Sequence, residues 1–186
     1  MNFPKNKVLH ETNNFQLLEC GDFIGIKPLF TNVVVMPFTS DDQGLPLSVG
    51  VISEPNPFRE GGLNICLVTG STTEEDEDML STAQRELFEE TGLKVDDISK
   101  WYYLGSVTSS KFVDHEQPCF AVDVTGIERG EPKTDGSEQE MNTTFSFIPA
   151  NDVVKSKDIF IPGLFLKLFK YVLGIDVQTP STDFEV

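Results

Sequence analysis

Basic side chains are scarce in this sequence: 14 lysines and arginines stand against 30 aspartates and glutamates, which gives a formal net charge of −16. Long-range repulsion therefore excludes nucleic-acid backbones and anionic membranes as main partners unless a cation intervenes. Phenylalanine is abundant and the hydrophobic fraction is an ordinary 39%, so the acidic excess does not indicate a disordered chain. We predict a folded protein that needs a metal ion to bind an anionic substrate.

Cysteine is also rare, and long hydrophobic runs are absent. Cys20, Cys66 and Cys119 are widely spaced without a CxxC pair, which excludes a disulfide framework and a zinc site. No apolar run is long enough to cross a bilayer, and the first residues lack the apolar segment of a signal peptide. These features predict reduced thiols and a cytoplasmic location.

The order of predicted elements indicates the fold class. Short runs rich in Val, Ile and Phe predict strands in DFIGIK, NVVVMPF, LSVGVIS, LNICLVT, WYYLGSVT, CFAVDVTG and TTFSFIP. One helix is predicted within residues 71–92, with hydroxyl residues as N-caps and acidic residues in its first turn. A second is predicted between Pro162 and Gly174. This order favours an α/β/α sandwich with a mixed sheet, or an α+β fold.

The chain is expected to divide into three parts. Residues 1–30 form a β-rich extension, residues 31–175 the main domain, and residues 176–186 a flexible acidic tail. The extension is too small to bury its own apolar face, so it is expected to pack on the main domain or on a second subunit. A homodimer is therefore predicted.

Acidic side chains crowd the end of the first predicted helix, in RELFEETGL. Glu86, Glu89 and Glu90 are spaced i, i+3 and i+4, so they lie on one flank of the helix and repel one another. Helix stability does not favour this arrangement, and Gly92 ends the helix directly afterwards. Mg²⁺ or Mn²⁺ takes carboxylate ligands and removes the repulsion. The cluster predicts a divalent-metal site; the alternative is a solvated acidic face.

The stretch from Gly70 to Leu93 resembles the Nudix box, which is a Gly, a Glu, and then Arg-Glu-aliphatic-x-Glu-Glu-x-Gly-aliphatic. The matching residues here are Glu77, Arg85, Glu86, Leu87, Glu89, Glu90, Gly92 and Leu93. The spacing from Glu77 to Arg85 agrees with the family. The family's opening glycine falls at Ser71, so the loop before the helix carries one extra residue or a shifted turn.

The resemblance implies a Nudix-type α/β/α sandwich and Mg²⁺-dependent hydrolysis of a nucleoside diphosphate linked to another group. The implied metal ligands are Glu86, Glu89, Glu90 and the backbone carbonyl of Thr69. Arg85 would hold the glutamates in place by charge-assisted contacts, and Glu77 would support the metal network or its water. A carboxylate would take the proton of the attacking water.

Beyond the box, the chain is most similar to the ADP-ribose and nucleotide-sugar pyrophosphatases. The resemblance rests on residues 1–30, on YLGSVTSSKFVDHE, and on the late acidic loop 136–140. In that loop Glu138 or Glu140 would position or deprotonate the water. The alternatives are hydrolysis of NADH, dinucleoside polyphosphates or nucleoside triphosphates, a catalytically silent nucleotide-binding module, and a structural protein whose acidic face mimics nucleic acid.

The remaining candidate residues are predicted from residue type. Arg59 and Lys111 are candidate phosphate or ribose contacts because basic residues are scarce. Phe58 and Phe112 are candidates for stacking on a nucleobase, although core packing is the expected role of most phenylalanines in this chain. His115 is expected to pair with Asp114 on a surface loop rather than to act as a base.

Overall fold

The computed structural model describes residues 4–133 and 143–175. The strands are β1 (Lys7–Glu11), β2 (Phe15–Cys20), β3 (Phe23–Pro28), β4 (Asn32–Ser40), β5 (Pro46–Pro55), β6 (Leu63–Cys66), β7 (Val68–Ser71), β8 (Trp101–Val107), β9 (Gln117–Asp123) and β10 (Thr144–Pro149). The helices are α1 (Met79–Thr91) and α2 (Phe160–Val172), with short 3₁₀ helices at Ile98–Lys100 and Ala150–Lys155. The strands form a three-stranded and a seven-stranded sheet.

The seven-stranded sheet is mixed, as predicted. Its main order is β10-β5-β4-β9-β8, with β6 beside β5 and β7 beside β4. Only the β4–β9 pair of these described strands is parallel. The run LNICLVT, predicted as one strand, is two strands because β6 pairs with β5 whereas β7 pairs with β4. The chain therefore passes from pairing with β5 to pairing with β4 before it enters the first helix.

The two helices cover opposite faces of this sheet. Val33 of β4 belongs to the core cluster that contains Leu87 of α1, whereas its neighbour Val34 belongs to the cluster that contains Leu164 of α2. Alternate side chains of a strand point to opposite faces, so a run of consecutive valines is buried on both sides. The predicted α/β/α sandwich is confirmed.

Helix α1 begins later than the sequence indicated. Asp78 is its N-cap: its carboxylate accepts a hydrogen bond from the backbone N–H of Ser81, and the Ser81 hydroxyl accepts one from the Asp78 N–H. This capping box provides acceptors for free backbone N–H groups at the start of the helix. That role was predicted for hydroxyl residues earlier in the sequence. The acidic run before Asp78 therefore lies in the loop and not in the first helical turn. The helix ends as predicted, at Gly92 with a φ of 74°.

The three-stranded antiparallel sheet contains two strands that the sequence analysis missed, β1 and β2. It is joined to the segment between β8 and β9 through Ile26, whose N–H donates to the Phe112 carbonyl at 2.7 Å while its own carbonyl accepts from the Asp114 N–H at 2.8 Å. The exposed apolar side chains of this sheet are Val8, Leu9, Phe15, Phe23, Ile24 and Ile26. The acidic tail lies outside the described residues.

Within the described ranges, no helix has the length and apolar character required to span a membrane.

Candidate active site

The carboxylate flank of α1 lies against β7, and the closest contact involves Gly70. An ideal Cβ built on Gly70 would lie 1.7 Å from Cδ of Glu86, so any side chain at this position would overlap the carboxylate. The Glu86 carboxyl group therefore rests on bare backbone, one residue after the Thr69 carbonyl. This glycine is required by close approach and not by an unusual φ.

The side chain of Arg85 joins the loop before α1 to the helix itself. Its Nε donates to Asp76 at 3.0 Å, and its Nη2 donates to Asp76 at 2.9 Å and to the Ser71 carbonyl at 2.8 Å. Its Nη1 donates to Glu86 and to Glu89, each at 2.8 Å. A guanidinium has five N–H donors, and each of them has an acceptor here. The predicted positioning contact of Arg85 with two of the glutamates is present in the structure.

The acidic partner of Arg85 in the loop is Asp76 and not Glu77. The Asp76 side chain is only 6% exposed, and its carboxylate also accepts from the N–H of Thr73 at 2.8 Å. Glu77 is exposed. The family's glycine-to-acid spacing selects Asp76 and its acid-to-arginine spacing selects Glu77, so the extra residue lies between Asp76 and Arg85. The acid-to-arginine spacing led to the prediction of Glu77, whereas the structure places Asp76 against Arg85.

The electrostatics of the flank leave negative charge to be neutralised. Asp76, Glu86 and Glu89 share the single positive charge of Arg85. Burial raises the pKa of Glu86 above its ordinary value, and the hydrogen bond from Arg85 opposes that rise only in part. The guanidinium holds the pKa of Asp76 well below its usual range. Partly buried carboxylates with surplus charge favour the approach of a cation.

The donor set fits a hard divalent cation. Carboxylates from Glu86, Glu89 and Glu90, together with the Thr69 carbonyl, are the oxygen ligands that Mg²⁺ and Mn²⁺ prefer. Within residues 4–133 and 143–175, no group of three or more His, Cys, Asp or Glu side chains is placed to hold a metal ion. Instead, Glu86 and Glu89 both turn to Nη1 of Arg85. These side chains would have to reorient toward the ion as it binds.

The structure does not bring the predicted substrate contacts together in one cavity. Arg59 lines a cavity beside the β5–β6 hairpin, whereas Lys111 and Phe112 line another cavity, between the three-stranded sheet and the segment that joins β8 to β9. The Lys111 ammonium lies 4.9 Å from the centre of the Phe112 ring. Core packing was the wrong expectation for Phe58, which is 94% exposed, and also for Phe112, which is exposed as well.

Two further expectations have different outcomes. His115 does not pair with Asp114: its Nε2 hydrogen-bonds the Asn32 side chain, and its ring packs edge-on against Phe30. Glu138 and Glu140, the predicted water-activating residues, lie outside the described residues, so their role stays a prediction.

Comparison with known proteins agrees with this geometry. A family model described as NUDIX domain matches residues 30–167. The chain therefore belongs to the Nudix family and is a Nudix pyrophosphohydrolase. Among solved structures of the same fold is one described as an ADP compounds hydrolase, with a TM-score of 0.64 and 14% identity over 94% of this chain and 95% of that chain. At this identity the likeness shows the fold. No curated protein matches the sequence.

Replacing Gly70 should weaken metal binding. In Gly70→Ala the added methyl group displaces the Glu86 carboxylate, so the affinity for Mn²⁺, measured by calorimetry, should fall by about tenfold or more. The control is Gly163→Ala in α2, where an added Cβ meets no heavy atom within 4 Å. The control should bind Mn²⁺ like the wild type. Unchanged Mn²⁺ affinity in Gly70→Ala would contradict the assignment.

Removing the Asp76 charge should lower stability in a pH-dependent way. Its depressed pKa means that the ionised carboxylate stabilises the folded state above the unfolded pKa, near 3.8, and that this contribution is lost as the pH falls further. Urea unfolding of metal-free Asp76→Asn should give a free energy of unfolding about 2 kcal/mol below wild type at pH 7.

The difference between wild type and Asp76→Asn should narrow once the pH drops below that unfolded value. Glu77→Gln is the matched control because Glu77 is exposed in the same loop. If Glu77→Gln proved the more destabilising change, the pairing of Arg85 with Asp76 would be wrong.

Proposed function

We propose that the protein hydrolyses the pyrophosphate bond of a nucleoside diphosphate linked to another group, with ADP-ribose or a related nucleotide sugar as substrate and Mg²⁺ or Mn²⁺ as cofactor. The observation that supports this proposal is that the Glu86 carboxylate packs on Gly70 and accepts a hydrogen bond from Arg85, with Glu89 and Glu90 on the same helix flank. The fold shared with an ADP compounds hydrolase supports the substrate class.

The reaction assigns distinct tasks to the residues of the flank. A bound divalent ion would neutralise phosphate charge and lower the pKa of a coordinated water. Glu86, Glu89, Glu90 and the Thr69 carbonyl hold the ion in this proposal. Arg85 positions Glu86 and Glu89 relative to the loop, because it donates to both and to Ser71.

A carboxylate must also accept the proton of the attacking water. Glu138 and Glu140 of the late loop are the proposed acceptors, and Glu90 is the one on the helix flank. Substitution of each of these glutamates would identify which one accepts the proton. The metal ion also explains how a chain with a net charge of −16 binds a polyanionic substrate.

A reducing compartment suits this chain. All three cysteines are free thiols, and burial raises the pKa of Cys66 and of Cys119 well above the ordinary value. Such thiols are protonated and unreactive at neutral pH. We therefore place the enzyme in the cytoplasm as part of the proposal.

Metal-dependent turnover is the test of the proposed reaction. ADP-ribose, NADH, nucleotide sugars, dinucleoside polyphosphates and nucleoside triphosphates should be compared with and without Mg²⁺, and ADP-ribose or a nucleotide sugar should be cleaved fastest. Glu90→Gln should keep its circular dichroism spectrum and lower kcat by about 10²-fold. The control Glu128→Gln removes an exposed carboxylate elsewhere and should retain kcat. Nucleotide binding without turnover by the wild type would contradict the enzymatic proposal.

The three-stranded sheet supports the proposal of a homodimer. Its apolar residues are exposed, and exposed apolar surface is typical of interfaces. Sedimentation at micromolar concentration should show a dimer, and Phe23→Glu should shift it to monomer because Phe23 is 62% exposed on this sheet. Phe58→Glu, at an exposed phenylalanine of the β5–β6 hairpin, should remain dimeric. A clean wild-type monomer would remove the dimer from the account.

A further inference from the structure

A cavity of about 570 Å³ lies beside the β5–β6 hairpin. We call it the hairpin pocket; its lining includes Arg59, Leu63, Ile65, Ile148, Lys157 and Asp158. The box residues do not line it, and the sequence analysis identified only Arg59 among these residues. Its volume is in the range of sites that hold small organic ligands.

The floor of the hairpin pocket is apolar. Leu63 and Ile65 alternate along β6, so they lie on the same face of the strand, and they are 58% and 52% exposed. Ile148 of β10 adds a third aliphatic side chain. Exposed branched side chains in a concave site favour a flat, weakly polar ligand group such as a nucleobase.

The rim of the hairpin pocket carries charges of both signs. Asp158 is partly buried, and its Oδ1 accepts a hydrogen bond from the Phe160 N–H at 2.7 Å. Burial raises the pKa of Asp158, and the positive charge of Arg59 opposes the rise. Lys157 is a second cation. This rim offers an acceptor for sugar hydroxyls and donors for a phosphate.

The hairpin pocket and the carboxylate flank are neighbours. From Ile65 the chain runs through Cys66 and β7 to Gly70, five residues that span at most about 17 Å when fully extended. Burial and the Glu54 carboxylate are the main causes of the raised pKa of the Cys66 thiol, and the charges of Asp158 and Glu90 add to the rise, so both of these side chains lie near the thiol. A nucleoside diphosphate linked to a sugar is long enough for one molecule to contact both the hairpin pocket and the carboxylate flank.

The hairpin tip carries an exposed aromatic ring one residue before Arg59, which lines the pocket. The Asn56 N–H donates to the Gly62 carbonyl at 2.8 Å, which closes the tip, and Gly61 and Gly62 have φ values of 85° and 70°. These left-handed conformations favour glycine. Phe58 stands 94% exposed at this tip, directly before Arg59. An exposed phenylalanine one residue from a lining residue is suited to covering a ligand held in the pocket.

We propose that the hairpin pocket binds the nucleoside end of the substrate, with the base between the floor of Leu63 and Ile65 and the ring of Phe58, and the sugar at Asp158. This rests on the proposed function, since it assigns one end of the same substrate. The rival location is the cavity between the three-stranded sheet and the segment joining β8 to β9, lined by Lys111 and Phe112. That cavity adjoins the apolar sheet assigned to the dimer.

The test compares two products of ADP-ribose cleavage, AMP and ribose 5-phosphate, as calorimetric probes in the presence of Mg²⁺. Neither contains a pyrophosphate bond, so binding is measured without turnover. Phe58→Ala should weaken AMP binding by about tenfold, as expected for loss of one stacking contact, and should change ribose 5-phosphate binding little. Phe112→Ala is the matched control and should leave AMP binding unchanged.

The opposite pattern, in which Phe112→Ala weakens AMP binding and Phe58→Ala does not, would overturn the proposal and assign the base to the cavity lined by Lys111 and Phe112. Failure of the wild type to bind AMP at millimolar concentration would also overturn it. The turnover assay on wild type separates the two proposals. If AMP binding depends on Phe58 but ADP-ribose is not cleaved, the pocket assignment stands and the proposed function is rejected. If ADP-ribose is cleaved but Phe58→Ala does not change AMP binding, the proposed function stands and the pocket assignment is rejected.

Discussion

One guanidinium group organises the candidate active site. Arg85 binds Asp76 and the Ser71 carbonyl in the loop before α1, and it also binds Glu86 and Glu89 on the helix. The guanidinium therefore fixes the loop relative to α1. A lysine has three donors on a flexible stem and could not satisfy these acceptors in the same plane. Gly70 completes the arrangement, because only a residue without Cβ lets the Glu86 carboxylate lie on β7.

The same interaction explains why so acidic a chain concentrates more acid on one helix flank. Three carboxylates share the Arg85 charge, and Glu90 adds a fourth on the neighbouring turn. The surplus charge would weaken an isolated helix. In the folded protein, α1 is held by its buried side chains, among them Ala83 and Leu87, so packing offsets the repulsion. The site can therefore remain charged and favour a divalent cation.

Most of the core could be predicted from the sequence because its patterns are strong. The valines of β4 are buried on both faces, and the apolar stripe of α1 follows the helical period. Strand β1 was missed because all of its residues are exposed, which leaves no alternation to detect. Whether Asp76 or Glu77 pairs with Arg85 depends on where α1 begins, and the capping interaction at Asp78 sets that start. Phe58 lies in EPNPFREGG, whose Pro and Gly residues indicate a turn, and its exposure follows from that turn.

Anomalous diffraction from crystals soaked in Mn²⁺ would locate the metal ion relative to the carboxylate flank. We expect anomalous density within ligand distance, about 2.1–2.3 Å, of carboxylate oxygens from Glu86 and Glu90 and next to the Thr69 carbonyl. Arg85 should then retain Asp76 as its partner. Density only at other carboxylates, with Glu86 still bound to Arg85, would contradict this placement of the metal ion.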